Sequence, residues 1–228
     1  MYNKKIIVAI DNDNFKEILE TIKLLKKEAF AFKLGYEFFY NFGIEGYHLI
    51  QKENIKIFLD LKLHDIPNTV HKAIKAISKL DPYFLTIHLS GGDEMQKASN
   101  ISKKNIKILG VSILTSLDSN QTNKFYFNNN VNDIVKSYAY YALKNNLDGI
   151  VCSPKEIKTI KNIVSNKLLI ITPGIRPLNY LDKNDDQKRT MTPKEAISEG
   201  ADLLVIGRPI TESDDQVDAL KKILEQIK

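Results

Sequence analysis

Eight short apolar runs recur along a chain of 228 residues, and each gives way to a polar break followed by hydrophobic residues at helical spacing. The runs are Ile6–Ile10, Ala31–Gly35, Phe58–Leu63, Phe84–Leu89, Ile108–Thr115, Gly149–Cys152, Leu168–Ile171 and Leu203–Ile206. After the first, Phe15, Ile18, Leu19, Ile22 and Leu25 mark one helix face. Later amphipathic stretches reach Leu49 and extend from about Pro67 to Lys79. Strands that are apolar on both faces belong in a parallel sheet covered by helices. An open, doubly wound sheet meets that demand too, but eight repeats in this length favour a closed (β/α)8 TIM barrel, a single domain over 1–228.

Two helix starts are written almost identically. Ser153-Pro154-Lys155-Glu156 and Thr192-Pro193-Lys194-Glu195 each offer a capping hydroxyl, proline at the first helical position and glutamate three residues after the cap. No linker rich in Pro, Gly or Ser divides the chain. Two regions read as irregular: Asp118 to Asn130, rich in asparagine, and Arg176 to Met191, a long strand-to-helix loop.

The net charge of +5 comes from lysines scattered among glutamates rather than from a basic run, which argues for a solvated surface and against a nucleic-acid stripe. A small anionic substrate would still benefit from that sign. Cys152, the only cysteine, excludes an intrachain disulfide and reads as a small hydrophobe within a strand. The apolar run after Lys4-Lys5 is too short for a leader or a membrane span, so a cytoplasmic protein with no membrane partner is expected.

Asp60 and Lys62 interrupt the third apolar run. Two positions apart in a strand, they share a face, opposite Leu59, Leu61 and Leu63. Alone, such a pair also fits a half-exposed strand with a solvated ion pair. Its company decides, because barrel active sites form at the C-terminal ends of the strands. Asp11, Lys33, Asp60 with Lys62 and Asp65, His88 with Gly91-Gly92, Thr115-Ser116, Thr172 to Arg176 and Gly207-Arg208 all fall at such ends. Gly174 and Gly207 would let backbone N–H groups approach an anion, and Arg208 adds a charge-assisted donor near the loop that carries Gln187. That combination suits a phosphate after strands seven and eight, although each glycine alone would serve a turn as well.

The chain resembles the orotidine 5′-phosphate decarboxylase family in its bacterial branch. The resemblance rests on Asp60-Leu61-Lys62-Leu63-His64-Asp65-Ile66-Pro67-Asn68-Thr69, Thr172-Pro173-Gly174-Ile175-Arg176-Pro177, Asp186-Gln187-Lys188-Arg189 and Val205-Ile206-Gly207-Arg208-Pro209-Ile210. It implies cofactor-independent decarboxylation of orotidine 5′-phosphate to uridine 5′-phosphate and CO2, the last step of de novo pyrimidine synthesis. It further implies an alternating array of Lys33, Asp60, Lys62 and Asp65, in a homodimer where Asp65 and Thr69 reach the partner's site. Asp11 then meets the ribose hydroxyls, Thr115 lies near the pyrimidine, and Arg176, Gln187, Gly207 and Arg208 surround the phosphate. Leu89 departs from the family pattern, which has a small residue after the histidine.

Loss of CO2 from C6 of the pyrimidine leaves a poorly delocalised carbanion, so the barrier must fall by on the order of 20 kcal/mol. A fixed ammonium where the charge develops is the available device, and Lys62 is the candidate that also donates the replacing proton. Flanking aspartates would keep it charged despite burial. Two rivals remain. A related barrel acting on a sugar phosphate would place Mg2+ on Asp60, but Lys33 is a poor neighbour for a metal, and His48, His64, His71 and His88 lack zinc-ligand spacing. A nucleotide- or RNA-binding protein would draw on the ten tyrosines, but Tyr36, Tyr40, Tyr138 and Tyr141 fall at helical spacing, where packing accounts for them.

Overall fold

Each apolar run forms a strand. The computed structural model describes residues 4–101, 103–117, 119–126, 130–178, 180 and 190–227. β1 (Ile6–Ile10), β2 (Ala31–Leu34), β3 (Ile57–Leu63), β4 (Phe84–His88), β5 (Lys107–Val111), β6 (Gly149–Val151), β7 (Leu169–Thr172) and β8 (Leu203–Ile206) pair in that order, all parallel, and β8 pairs with β1 to close a barrel. The covering helices are α1 (Phe15–Leu25), α2 (Tyr36–Gln51), α3 (Pro67–Ile77), α4 (Gly92–Ile101), α5 (Ser119–Phe125), α6 (Val131–Lys144), α7 (Ile157–Val164), α8 (Pro193–Glu199), α9 (Arg208–Thr211) and α10 (Gln216–Gln226).

The strands are apolar throughout because each serves two cores. Ile7, Ala9, Ala31, Phe58, Phe84, Leu109, Ile171, Leu203 and Val205 fill the barrel interior. The alternate residues, such as Val8, Phe32, Leu59 and Ile87, pack outward with Ile18, Ile22, Val70, Ile74 and Leu220 of the helices. Phe58 and Phe84 meet edge to face at 5.6 Å on the floor of the interior, where truncating either ring to alanine would cost about 3–5 kcal/mol.

Local signals set the helix starts. Asn14 caps α1 by accepting from the N–H groups of Lys16 and Glu17. Thr192 and Glu195 form the reciprocal cap of α8, with Thr192 Oγ1 accepting from Glu195 N at 3.3 Å and Glu195 Oε2 accepting from Thr192 N at 3.0 Å. At the other copy of this motif, Glu156 accepts from Ser153 N at 3.3 Å, but the chain makes a 3-10 turn over Pro154–Glu156 before α7 begins.

Two sequence expectations shift, and one departure finds its reason. The 118–130 region carries a short helix, α5, since asparagines without glycine or proline do not forbid one, and Tyr126 N continues it by donating to Thr122 O. β5 stops at Val111 rather than Thr115; just beyond it, the Ser112 hydroxyl donates to the buried Glu156 carboxylate at 2.8 Å. Leu89, the departure from the family pattern, is buried over Gly110, where an added Cβ would collide with its side chain, so a missing side chain on β5 makes room for the larger one just after β4.

Candidate active site

Strand alternation brings Lys33, Asp60, Thr86 and His88 to the inner face of β2, β3 and β4 at their C-terminal ends, and Lys62 joins them from the end of β3. Asp60 lies at the centre and is 7% exposed. Its Oδ2 is 2.8 Å from Lys62 Nζ and 3.6 Å from Lys33 Nζ, while its Oδ1 accepts the Thr86 hydroxyl at 2.8 Å. Lys33 also lies 3.4 Å from Asp11 Oδ1. The charges therefore alternate Asp11, Lys33, Asp60, Lys62.

The electrostatics follow from this geometry. Burial alone would raise the Asp60 pKa, but Lys33, Lys62 and the hydrogen bonds from Lys62 and Thr86 outweigh it and hold the carboxyl below its ordinary value. Burial likewise works against charge on Lys33, yet Asp60 and Asp11 hold its ammonium above the ordinary value. Burial, then His64 and Lys62, keep the His88 imidazole below its ordinary value, its ring centroid 5.4 Å from that of His64.

The strict alternation expected of the third strand ends at Leu61. Lys62 has φ +42°, in the left-handed region that costs a residue with a side chain about 1–3 kcal/mol, and the pairing register of β3 with β4 shifts between Leu59 and Leu63. Leu59 is fully buried, whereas Leu61 and Leu63 are only partly so.

A cavity of about 180 Å³ opens over these residues, lined by Lys33, Asp60, Lys62, Thr115, Cys152 and Pro173 among others. A second groove, of about 640 Å³, runs beside it between α1 and the α9–α10 segment and includes Asp11 and Arg208. The two compartments meet at the Lys33–Asp11 pair. Among the residues singled out from sequence, Lys33, Asp60, Lys62 and Thr115 line the first and Asp11 and Arg208 the second. Gly207 sits on β8's exit, where a Cβ would come within 3.4 Å of Ala9, and its carbonyl accepts from Ile210 and Thr211. Arg176 donates to Ile175 O at 3.1 Å and faces the Tyr180 ring at 5.6 Å, outside both lining sets.

Asp65 and Thr69 are exposed and stand apart from this cluster. Asp65 Oδ1 accepts from Ile66 N at 2.7 Å and enters none of the ion pairs among the described residues, so within one chain Asp11 rather than Asp65 completes the alternation. Gln187 lies outside the described residues. Two site residues escaped the sequence reading. Thr86 was detectable only by noting that Phe84, Thr86 and His88 share an inward face. Tyr36, assigned there to packing, is 45% exposed and stacks on the still more exposed Tyr40, and its hydroxyl donates to Leu61 O at 2.9 Å. Both oxygens of Asp60 are engaged by donors and two ammoniums face it, which makes it a poor seat for a divalent cation.

Residues 4–223 match the model of a family described as orotidine 5′-phosphate decarboxylase / HUMPS. A curated protein named orotidine 5′-phosphate decarboxylase from Wolbachia pipientis subsp. Culex pipiens is 42% identical over 224 residues, covering 97% of this chain and 98% of its own length. Its namesake from Vibrio vulnificus is 37% identical over 228 residues, covering 98% and 97% respectively. The crystal structure of orotidine 5′-phosphate decarboxylase from Lactobacillus acidophilus superposes with a TM-score of 0.85 at 34% identity, covering 99% of this chain and 100% of that one.

Proposed function

The chain belongs to the orotidine 5′-phosphate decarboxylase / HUMPS family, and on that footing we propose that Lys62 is the proton donor of its decarboxylation, with Asp60 and Lys33 fixing its charge and place. The reaction converts orotidine 5′-phosphate to uridine 5′-phosphate and CO2, the last step of de novo pyrimidine-nucleotide synthesis. The single observation that carries the assignment is the Lys33–Asp60–Lys62 contact at the mouth of the closed barrel.

In this reading the C6–carboxylate bond breaks, its electron pair stays on C6, CO2 departs, and Lys62 Nζ delivers a proton to C6. The ammonium stabilises the developing charge before it donates, in a site whose dipoles are already oriented. Neither step calls on a cofactor. The Asp60 carboxylate also crowds the substrate carboxylate, a contribution secondary to stabilisation of the developing charge. Thr115 meets the pyrimidine and Asp11 the ribose. Arg208 with Gly207, joined by Arg176 and Gln187, holds the phosphate, whose binding energy orients the ring.

The chain acts as one catalytic domain over 1–228 in a cytoplasmic homodimer, with Asp65 and Thr69 supplied to the partner's site and no nucleic acid or membrane bound. The exposure of Asp65, Ile66 and Thr69 supports that pairing, and no helix among the described residues is long and apolar enough to cross a membrane. Following CO2 release from orotidine 5′-phosphate in the presence of EDTA tests the whole reading. Undiminished release is expected; activity restored only by added Mg2+ would favour a metal-dependent barrel instead.

A further inference from the structure

The peptide unit between Leu61 and Lys62 has left the sheet ladder, and both of its polar groups are held by side-chain hydroxyls. Its carbonyl, on Leu61, accepts from Tyr36 Oη at 2.9 Å, and its N–H, on Lys62, donates to Thr86 Oγ1 at 2.9 Å. The same Thr86 hydroxyl donates to Asp60 Oδ1 at 2.8 Å. A hydroxyl has one proton to give and lone pairs to accept with, so this one group commits its proton to the Asp60 carboxylate while accepting from the Lys62 backbone. Thr86 is fully buried.

We propose that Thr86 and Tyr36 form a two-hydroxyl clamp that keeps Lys62 in its left-handed conformation and so aims its ammonium at the reacting carbon. The inference rests on Lys62 being the proton donor. Thr86 and Tyr36 are positioning residues, since neither is assigned a contact with the reacting atoms. Lysine has no intrinsic preference for φ +42°, so without the clamp the peptide would turn back toward the ladder and shift the ammonium from its 2.8 Å contact with Asp60. Tyr36 does this from α2 and Thr86 from β4, so two different elements beside β3 each grip one side of a single peptide plane. Tyr36 contributes a second restraint, its ring 5.6 Å beneath the Lys62 ammonium. Its hydroxyl stays a donor at working pH, because burial, Asp60 and Tyr40 all disfavour the phenolate.

Steady-state kinetics of Thr86→Val, Thr86→Ser, Tyr36→Phe and the Thr86→Val/Tyr36→Phe double variant test the clamp. A displaced catalytic group costs turnover rather than ground-state binding, so Thr86→Val should lower kcat by between about tenfold and a hundredfold with KM within about twofold. Thr86→Ser, which keeps both bonds, should recover most of that loss. Tyr36→Phe should lower kcat several-fold at unchanged KM. Because both groups hold one peptide, the double variant should lose less than the product of the single losses. The clamp is overturned if Thr86→Val turns over within twofold of the unaltered enzyme, if Thr86→Ser is as impaired as Thr86→Val, or if the losses multiply. Should Thr86→Val fail to fold, Tyr36→Phe decides alone, and an unchanged kcat there rejects the proposal. Lys62→Ala run beside these separates the two readings: an inactive Lys62→Ala with normal Thr86→Val and Tyr36→Phe rejects only the clamp, whereas an active Lys62→Ala removes the premise.

Discussion

Lys62 Nζ lies 2.8 Å from Asp60 Oδ2, the shortest of the ion pairs at the barrel mouth. Two residues apart in a regular strand, these side chains would share a face; they meet over the cavity although Lys62 itself is left-handed. If Lys62 supplies both the charge and the proton, Lys62→Ala removes both. Turnover should fall by at least about a thousandfold, the scale of losing a transition-state donor, while circular dichroism and affinity for uridine 5′-phosphate stay near normal. Near-normal decarboxylation by that variant would refute the mechanism.

The same carboxylate ties stability to pH. Asp60 has its folded pKa below the ordinary 3.8, so the stabilisation it contributes is present above that value and is lost as pH falls through the folded pKa. Lys33 has the opposite sign: its folded pKa lies above the ordinary 10.5, so its contribution is complete below 10.5 and is lost as pH rises through the folded value. Between those limits the pair adds no slope. Thermal melts of the unaltered protein and Asp60→Asn should differ most near neutrality, where the variant leaves two ammoniums facing an amide. The gap should close as acid protonates Asp60. A gap that stays constant from neutral pH to the acid limb would show that Asp60 is not the linked group.

How much of this was legible beforehand follows from what each signal depends on. The eight strands were readable because two-sided burial demands uninterrupted apolar runs, and Lys33, Asp60 and Lys62 because parallel barrels expose their strand ends. Thr86 was hidden by being an ordinary β-residue. Tyr36 was misjudged because helical spacing does not distinguish a ring in the core from one at a helix start that faces a neighbouring strand. The turn at Lys62 had no sequence mark at all: no glycine stands there, and two hydroxyls from other elements impose it. The link between Asp11 and Lys33 depends on how far a side chain reaches, which strand register alone does not give.

Arg208 tests the phosphate end. It opens α9 directly after Gly207 and shares with Asp11 the groove beside the Lys62 cavity, without lining that cavity itself. A guanidinium bonded to phosphate is worth about 1.5–3 kcal/mol, so Arg208→Ala should lower kcat/KM by roughly ten- to a hundredfold. Most of that should appear as a raised KM, with a saturating reaction still measurable. An unchanged kcat/KM would rule the role out.

Asp65 offers the test of assembly. It is exposed, its carboxylate bonds to Ile66 N, and it enters no ion pair with Lys62 of its own chain among the described residues. If it serves the partner's site, each site in a two-fold dimer takes Lys62 from one chain and Asp65 from the other. Lys62→Ala and Asp65→Ala homodimers should then each be inactive, whereas mixing them with subunit exchange should restore activity. In a hybrid, one site inherits both defects and the other inherits neither. Equal mixing makes half the dimers hybrid with one sound site each, so about a quarter of the unaltered activity should return. If Asp65 acted within its own chain, every site in the hybrid would carry one defect and nothing would be regained. A variant held monomeric should be inactive for the same reason, and a fully active monomer would exclude any contribution across the boundary.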